Sequence, residues 1–290
     1  MNKNNSILLD KHKDILSFRD LSVKTVATYV SYMTSYIQWV EDELPKRSLD
    51  SVTWDEIRSY VRFLKKARKL NPRTINVHLS QLRDFYFYVL HKDWDMREVP
   101  NLKFDTALPK VPTRDQVLAL INATDNPKHK AELALLYSSG MRVSELCRLH
   151  CGDIYHSKGQ IYVSRSKNRS DRYSILSEKA FEDLRVYVRS VYPDASKGSW
   201  LFPGRGKSGH ISEESVRKVL AASVARLGMT GEGYTLHSLR HAFGLHLYES
   251  GADLMSIKEA LGHKSLSSTE IYLTLGIGNG RNIRSPYDDD

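Results

Sequence analysis

The chain has little cysteine and no long apolar run. Its two cysteines, Cys147 and Cys151, flank His150, but no second Cys or His pair at the spacing of a zinc site follows them. We interpret both as reduced, small apolar side chains and expect no disulfide. No apolar stretch approaches the length of a membrane span, and the first residues are rich in charge without a signal-peptide core. We therefore expect a globular cytoplasmic protein with no membrane contact.

Acidic residues are fewer than basic ones, which favours an anionic partner. The chain has 43 Lys and Arg against 34 Asp and Glu, a formal net charge of +9. The segment 58–73, RSYVRFLKKARKLNPR, contains no acidic residue, so partners for its cations are absent from it. We interpret it as a surface for DNA or RNA phosphates rather than a solvated helix face. Its basic residues are Arg58, Arg62, Lys65, Lys66, Arg68, Lys69 and Arg73.

The first hundred residues are predicted to be all-helical. Apolar residues at three-four spacing indicate helices at 21–42, 53–64 and 74–89. The aromatic run DFYFYVL at 84–90 is interpreted as core packing rather than a base-stacking platform. The proline-containing stretch 97–112 shows no sustained period, which is typical of a linker. We therefore predict domains at 1–96 and 113–290 joined by a linker at 97–112.

The second domain is predicted to be mostly helical with one β region. The stretch GQIYVSRSKNRSDRYSIL indicates two antiparallel strands, because its β-branched and aromatic ends flank a polar turn. The fold class is therefore mainly α, with a small antiparallel β-sheet in the C-terminal domain. Helices are predicted at 113–122, 128–139, 143–149, 178–191, 213–227, 235–250 and 253–261.

The helix at 235–250 has an unusual polar stripe beside its core stripe. The apolar positions are Leu236, Leu239, Phe243 and Leu247. His237, Arg240 and His241 lie about one residue further round the helix. A guanidinium next to a core requires an anion or several acceptors, so this stripe needs an explanation beyond packing.

Two common explanations are disfavoured. His237 and His241 have the i,i+4 spacing of a zinc-protease helix, but Ser238 stands where that motif needs Glu. The GRGKS sequence at 204–208 is similar to a phosphate-binding loop, but Leu201 stands where the motif needs Gly. The third explanation is that Arg240 binds a backbone phosphate, which calls for further cations and a nucleophile elsewhere in the chain.

Such residues are present in three other segments. SSGMRVSELCRL contains Arg142 after a glycine turn, with Glu145 one turn later as an orienting partner. Lys167 lies at the tip of the predicted hairpin, and LGHKSLSSTEIYLTL contributes His263 and Tyr272. GMRVSEL, HSLRH, LGHKSLSSTEIY and SKNRSDR together resemble the motifs of the tyrosine recombinase (phage integrase) superfamily, most of all its Xer-like members. The resemblance covers nearly the whole chain.

The resemblance implies a role for each matched residue. Tyr272 would be the nucleophile, His263 a hydrogen-bond donor to the phosphate, and Glu145 and His241 supports. The implied phosphate clamps are Arg142 and Arg240, and the implied acid–base groups are His237 and Lys167. The first domain resembles the family's helical, SAM-like core-binding domain and the second its catalytic domain. Contacts with the DNA backbone are expected from the basic segment 58–73 and, in the hairpin, from Arg165 and Arg169.

The implied reaction suits these residue types. Two guanidiniums can bind nonbridging phosphate oxygens bidentately and stay charged at any working pH. Attack by a tyrosine leaves a phosphotyrosyl bond that keeps the energy of the cleaved link, so we expect neither metal nor nucleotide cofactor. The resemblance implies site-specific recombination of double-stranded DNA through a 3′-phosphotyrosyl intermediate and a Holliday junction. It also implies a homotetramer on DNA, with a monomer or dimer when free.

Local sequence makes two further predictions near the end of the chain. Gly262 can end one helix, and Ser267 with Glu270 can form the capping box of the next, which would put Tyr272 in that helix's second turn. The remaining tail is rich in glycine and makes a poor version of the helix that Xer relatives donate to a neighbour, so how subunits couple stays open.

Two alternative functions are considered. A DNA-binding regulator or architectural protein of the same fold would not need the complete Arg, Lys, His and Tyr set. A type IB-like topoisomerase would share the phosphotyrosyl chemistry, but it would relax DNA without preference for a site.

Overall fold

The computed structural model describes residues 1–105, 107–164 and 171–278. The chain divides into two compact units, Met1–Thr106 and Ala107–Asp290. The described part is mainly helical with one small antiparallel sheet, which confirms the predicted fold class.

The first unit consists of helices. They are α1 (Lys3–Ser17), α2 (Val23–Glu43), α3 (Trp54–Lys66) and α4 (Pro72–Tyr88). Each begins after a side chain that accepts a backbone N–H of the first turn, such as Ser22 before α2 and Asn71 before α4. Thr53 and Glu56 form a reciprocal capping box at α3. The sequence predicted α2 to α4 but not α1, whose charged residues obscure its apolar period.

Aromatic side chains fill the core of the first unit. The hydroxyl groups of Tyr36 and Tyr86 lie 2.9 Å apart in the interior, and the Tyr60 ring packs edge-on against Tyr36. The aromatic run at 84–90 was interpreted as core packing, and Tyr86 and its neighbour Phe85 are buried. Phe87 is 55% exposed, however, because consecutive residues on a helix point to different sides.

The second unit is a larger helical body with a three-stranded sheet. Its first helices are α5 (Arg114–Asn122), α6 (Pro127–Ser139), α7 (Val143–Leu146) and α8 (Glu178–Val191). They are followed by α9 (Glu213–Arg226), α10 (Leu236–Glu249), α11 (Leu254–Leu261) and α12 (Ile271–Gly278). The predicted helix at 143–149 is shorter and ends at Leu146, because Arg148 and Leu149 bond to carbonyls three residues back instead of four.

The sheet is antiparallel throughout. It contains β1 (Ile154–Tyr155), β2 (Gln160–Val163) and β3 (Arg172–Ile175) in the order β1-β2-β3. Val163 pairs with Arg172 at the end of the β2–β3 ladder, next to segment 165–170. The two-residue strand β1 was not predicted, because it is too short to show an alternating pattern.

Helix α10 lies in the middle of the second unit and packs against α5, α6, α11 and α12. The predicted apolar stripe is only part of its buried surface, since Ala242, Gly244 and Leu245 are buried as well. Before it, α6 ends at Gly140, whose φ of 60° is left-handed. A Cβ at Gly140 would collide with Phe243 and Leu261, so the turn depends on glycine. This turn leads directly to Arg142.

In the described ranges, no helix is both long enough and apolar enough to cross a membrane.

His12 in α1 tests the core of the first unit. It is buried against Phe85, neither ring nitrogen has a hydrogen-bond partner, and burial lowers its pKa to about 4. Between about pH 4 and 6.5 the unfolded chain binds a proton at His12 that the folded chain does not bind. The free energy of unfolding therefore decreases as the pH falls from 6.5 towards 4. His12→Leu should remove this loss, and its advantage over the wild type should grow by about 2 kcal/mol between about pH 8 and about pH 5. Urea unfolding of the full chain at both pH values measures it, and an advantage independent of pH would contradict it.

Candidate active site

Arg240 is the buried cation of α10, and it holds two helix ends together. Only 3% of the residue is exposed. Its Nη1 donates to the carbonyl oxygen of Gly140 at 2.6 Å, and its Nη2 donates to that of Leu261 at 2.7 Å. These carbonyls lie at the C-terminal ends of α6 and α11, where the helix dipole is negative. Burial, together with Arg142, lowers the Arg240 pKa to about 10, which keeps the side chain charged at neutral pH.

Arg142 and Arg172 share the carboxylate of Glu145. Arg142 caps α7, where its backbone N–H donates to Glu145 Oε2 at 2.8 Å and its Nη1 donates to Oε1 at 2.9 Å. From β3, Arg172 donates through Nη1 to Oε1 at 3.1 Å and through Nη2 to Oε2 at 2.8 Å. Burial alone would raise the pKa of the Glu145 carboxyl, but hydrogen bonds and charge from Arg172 and Arg142 lower it to about 2.

Arg172 was not singled out in the sequence, although a signal was present. Strand side chains alternate between faces, and Arg172 shares its face with the buried Ser174. A cation at an inward position of a strand next to the core requires an anion, which here is Glu145.

The three predicted histidines lie at the same place. The His237 and His241 rings of α10 meet edge-to-face at 4.6 Å between centroids. His263 follows α11, and its Nδ1 lies 3.0 Å from the hydroxyl of Thr269. Burial and the neighbouring arginines lower the pKa of all three, to about 4 for His241 and His263. All three rings are therefore neutral at pH 7, when each has one N–H to donate.

Tyr272 is buried beside these histidines. It is 1% exposed, and its hydroxyl lies 3.5 Å from Nδ1 of His241. Its ring covers Gly244 of α10, where an added Cβ would collide with the ring and the hydroxyl. Burial raises the Tyr272 pKa to about 12, against the opposing effect of Arg240. In this arrangement Tyr272 is a neutral phenol closed off from solvent.

The predicted start of the last helix is wrong. Ser267 lies inside a 3-10 turn, Leu266–Ser268, and its hydroxyl contacts Ser265, so it does not cap α12 with Glu270. The backbone N–H of Tyr272 bonds to Thr269 O at 3.0 Å, and Tyr272 is the second residue of α12, in its first turn. Gly262 does end α11, with a φ of 65°.

The structure therefore gathers most of the predicted catalytic set. Arg240 bonds to the carbonyls of Gly140 and Leu261, each two residues before a predicted site residue, Arg142 or His263, and Tyr272 lies beside His241 of the same helix as Arg240. The predicted Lys167, Arg165 and Arg169 lie outside the described residues, as does the glycine-rich tail from residue 279. Their segment joins β2 to β3, which begins at Arg172.

The predicted surface at 58–73 needs one correction. Arg58 has partners: its Nη2 bonds to Asp55 at 2.7 Å, and its Nη1 bonds to Glu98 at 2.7 Å. The sequence segment excluded both acids because one precedes it and the other lies far along the chain. Arg62 donates to the hydroxyl of Ser59. The remaining cations are exposed and form no ion pair with the described residues; they are Lys65, Lys66, Arg68, Lys69 and Arg73.

The cysteines and other metal ligands form no cluster here. Cys147 and Cys151 are free thiols, and burial raises the pKa of Cys147 to about 12. Over the described ranges, His, Cys, Asp and Glu side chains do not come together in groups of three or more that could hold a metal ion.

Comparison with known proteins places the chain in a family. Residues 110–276 match the phage integrase family, and residues 8–96 match the phage integrase N-terminal SAM-like domain. A putative integrase/recombinase of Sinorhizobium fredii, y4eF, is 36% identical over 81% of this chain and 92% of its own. Tyrosine recombinase XerA of Pyrococcus horikoshii is 29% identical, covering 92% of this chain and 89% of its own.

Solved structures share the fold. A lambda integrase dimer bound to a COC′ core site gives a TM-score of 0.72 at 19% identity, covering 97% of this chain and 98% of that one. XerH bound to its difH substrate gives 0.69 at 20% identity, covering 91% and 81%. The family models and the relative at 36% identity show that the chain belongs to the phage integrase family of tyrosine recombinases. It is a site-specific, DNA strand-transferring enzyme.

The shared carboxylate predicts a large effect on stability. Glu145→Ala should lower the free energy of unfolding by about 3–5 kcal/mol, because it leaves two guanidiniums next to each other without their anion. Since the Glu145 pKa is lowered, this contribution is present above about pH 4.5 and is lost as the pH falls towards 2. The matched control is Glu182→Ala, which breaks a half-exposed pair with Arg185 and should cost at most about 1 kcal/mol. Equal losses in urea unfolding of the two variants would contradict the prediction.

Proposed function

We propose that Tyr272 is the nucleophile that cleaves DNA and carries it as a 3′-phosphotyrosyl link. The observation that supports this most is the position of its hydroxyl, beside His241 in the same cluster as Arg142, Arg240, His237 and His263. In this reaction the phenol gives its proton to a neutral histidine, for which His237 is proposed, and the tyrosine oxygen attacks phosphorus. The bond to the 5′ oxygen breaks, and that oxygen takes up a proton. Religation reverses these steps.

The two arginines would stabilise the charge of the phosphorane transition state. Within the described ranges, Arg240 uses one N–H of each Nη on a carbonyl, which leaves the second N–H of each and its Nε–H for a phosphate. The Arg142 side chain is 23% exposed and bonds to Glu145 through Nη1, which makes it the clamp that incoming DNA reaches more readily. Donors already fixed in place need no rearrangement as the charge develops.

The histidines would act as neutral groups: His263 and His237 as hydrogen-bond donors, and His237 also as an acid–base group. His237 and His263 are neutral because burial and the arginines lower their pKa values, and a neutral ring N–H can still bond to a phosphate oxygen. His241 lies against Tyr272 and would support it. Lys167, in the segment between β2 and β3, is proposed as the acid that protonates the 5′ oxygen.

Cleavage would require Tyr272 to move. Its hydroxyl is covered by α10 at Gly244, and its pKa of about 12 disfavours the phenolate. A shift of α12 on binding DNA would release the ring from this site and expose the hydroxyl to the cationic cluster, which would lower its pKa.

The assembly and setting follow the same proposal. Residues 1–96 would form the core-binding domain, 97–112 the linker and 113–290 the catalytic domain, with the exposed cations of 58–73 on DNA phosphates. A homotetramer on two sites would exchange strands through a Holliday junction, from monomers or dimers in the cytoplasm. The solved relatives include XerH bound to difH and the lambda integrase dimer bound to its core site.

Tyr272→Phe should abolish the covalent protein–DNA adduct while DNA binding and thermal stability stay close to those of the wild type. The variant loses one hydroxyl that lies 3.5 Å from a single partner, so its packing is retained. The measurement is incubation with a nicked suicide duplex carrying candidate sites, followed by denaturing electrophoresis. Tyr192→Phe, after α8, is the matched control and should keep the adduct. If Tyr272→Phe formed as much adduct as the wild type, Tyr272 would not be the nucleophile. Relaxation of DNA without preference for a site would favour the topoisomerase alternative.

Removing divalent metal should leave cleavage intact, because guanidiniums rather than a metal ion would neutralise the phosphate. Adduct formation on the same duplex in excess chelator should stay within about two-fold of its value with magnesium, on the scale of a negligible change in barrier. Loss of cleavage while DNA binding persists would contradict this.

A further inference from the structure

We infer that Arg172 is a positioning residue that keeps the guanidinium of Arg142 available to the scissile phosphate. This inference rests on the proposed function of Arg142 as a phosphate clamp. Arg172 itself is not placed on the DNA. Its effect would pass through the carboxylate of Glu145, which both arginines contact.

The side chain of Arg172 is fixed on several sides. It is 10% exposed, and both Nη atoms bind the Glu145 carboxylate, whose side chain has no exposed surface. Its Nε points to the carbonyl oxygen of Ala260 at 3.4 Å. Gly262 leaves room for it, since a Cβ there would lie 2.8 Å from Cδ of Arg172. A side chain held in this way can act as a rigid part of the site.

Arg172 and Arg142 contribute different hydrogen bonds to the Glu145 carboxylate. Arg172 occupies both carboxylate oxygens with a two-pronged contact, whereas Arg142 contributes its backbone N–H and only Nη1. Nη2 and Nε of Arg142 are therefore not used on Glu145. Without Arg172, the buried carboxylate would be undersatisfied and would draw the Arg142 guanidinium into the two-pronged contact itself. The Arg142 guanidinium would then bind the Glu145 carboxylate instead of the phosphate.

Charge leads to the same conclusion. One carboxylate between two guanidiniums leaves the cluster with one excess positive charge, and loss of Arg172 would bring it to zero. Arg172 also begins β3, two residues after the end of segment 165–170, which contains Lys167. A rival role for Arg172 is therefore to orient that lysine, and the test has to separate the clamp from the acid.

Two modified phosphates distinguish a defect in the Arg142 clamp from a defect in the Lys167 acid. In a methylphosphonate, a methyl group replaces one nonbridging oxygen, so the scissile group is neutral and needs the clamp less. In a 5′-bridging phosphorothiolate, sulfur replaces the leaving oxygen and departs as a stable thiolate, so the acid is needed less. A defect in the clamp is relieved by the first substrate, and a defect in the acid by the second.

The test compares single-turnover adduct formation by Arg172→Met and the wild type on suicide duplexes with these groups. On the natural phosphate, Arg172→Met should be slower by about 10- to 100-fold, the range for losing an outer partner that orients a functional side chain. On the methylphosphonate the defect should shrink to a few-fold, in parallel with Arg142→Ala. On the phosphorothiolate it should persist. Arg172→Lys keeps the charge with one donor in place of the fork, so its rate should be intermediate.

Arg185→Met, which removes a half-exposed partner of Glu182, is the matched control and should react like the wild type. A normal rate of Arg172→Met on the natural phosphate would overturn the inference. So would relief by the phosphorothiolate, which would assign Arg172 to the lysine, or relief by neither substrate, which would make it a structural residue. If Arg172→Met does not fold, a full rate with Arg172→Lys gives the same contradiction. No adduct from the wild-type chain on any cognate site would instead overturn the proposed function, and this inference with it.

Discussion

The burial of one guanidinium organises the catalytic unit. Arg240 lies inside the protein because two helices end against it, and each presents a carbonyl that needs a donor. The left-handed glycines Gly140, which carries one of these carbonyls, and Gly262, which follows the other, lead the chain to Arg142 and His263. The same contact thus binds the ends of α6 and α11 to α10 and sets the starting points of two other site segments. Because the fold and the site both depend on this interaction, a substitution of Arg240 would change both.

The site combines charged arginines, neutral histidines and one ionised carboxylate. The arginines and the burial together keep the histidines neutral, and a single carboxylate is left ionised because it lies between two cations. This gives the pocket fixed positive charge on the arginines and polar, uncharged donors around them. A phosphodiester, whose negative charge is spread over its nonbridging oxygens, matches that combination, whereas a metal cation does not.

Sequence patterns predicted the components of the site better than their arrangement. The spacing of His237, Arg240 and His241 on one helix could be predicted because helical periodicity is local. The acceptors of Arg240 could not, since one lies 100 residues away and the other 21, and both are backbone groups. The sequence did not single out Arg172 because its partner Glu145 comes from another element. The predicted Ser267 cap is wrong because Ser267 lies inside a 3-10 turn and its hydroxyl contacts Ser265. The long helices were predicted because their apolar period repeats over several turns.

Gly244 carries a consequence for how this chain can vary. Glycine inside a helix costs about 1 kcal/mol relative to alanine, so α10 would be more stable with any small side chain at this position. Its backbone nevertheless forms the floor on which the phenol of Tyr272 rests. Every substitution at position 244 adds at least a methyl group where the ring now lies. The helix therefore keeps a locally less stable residue, and in return the phenol of Tyr272 packs directly against its backbone and is buried there.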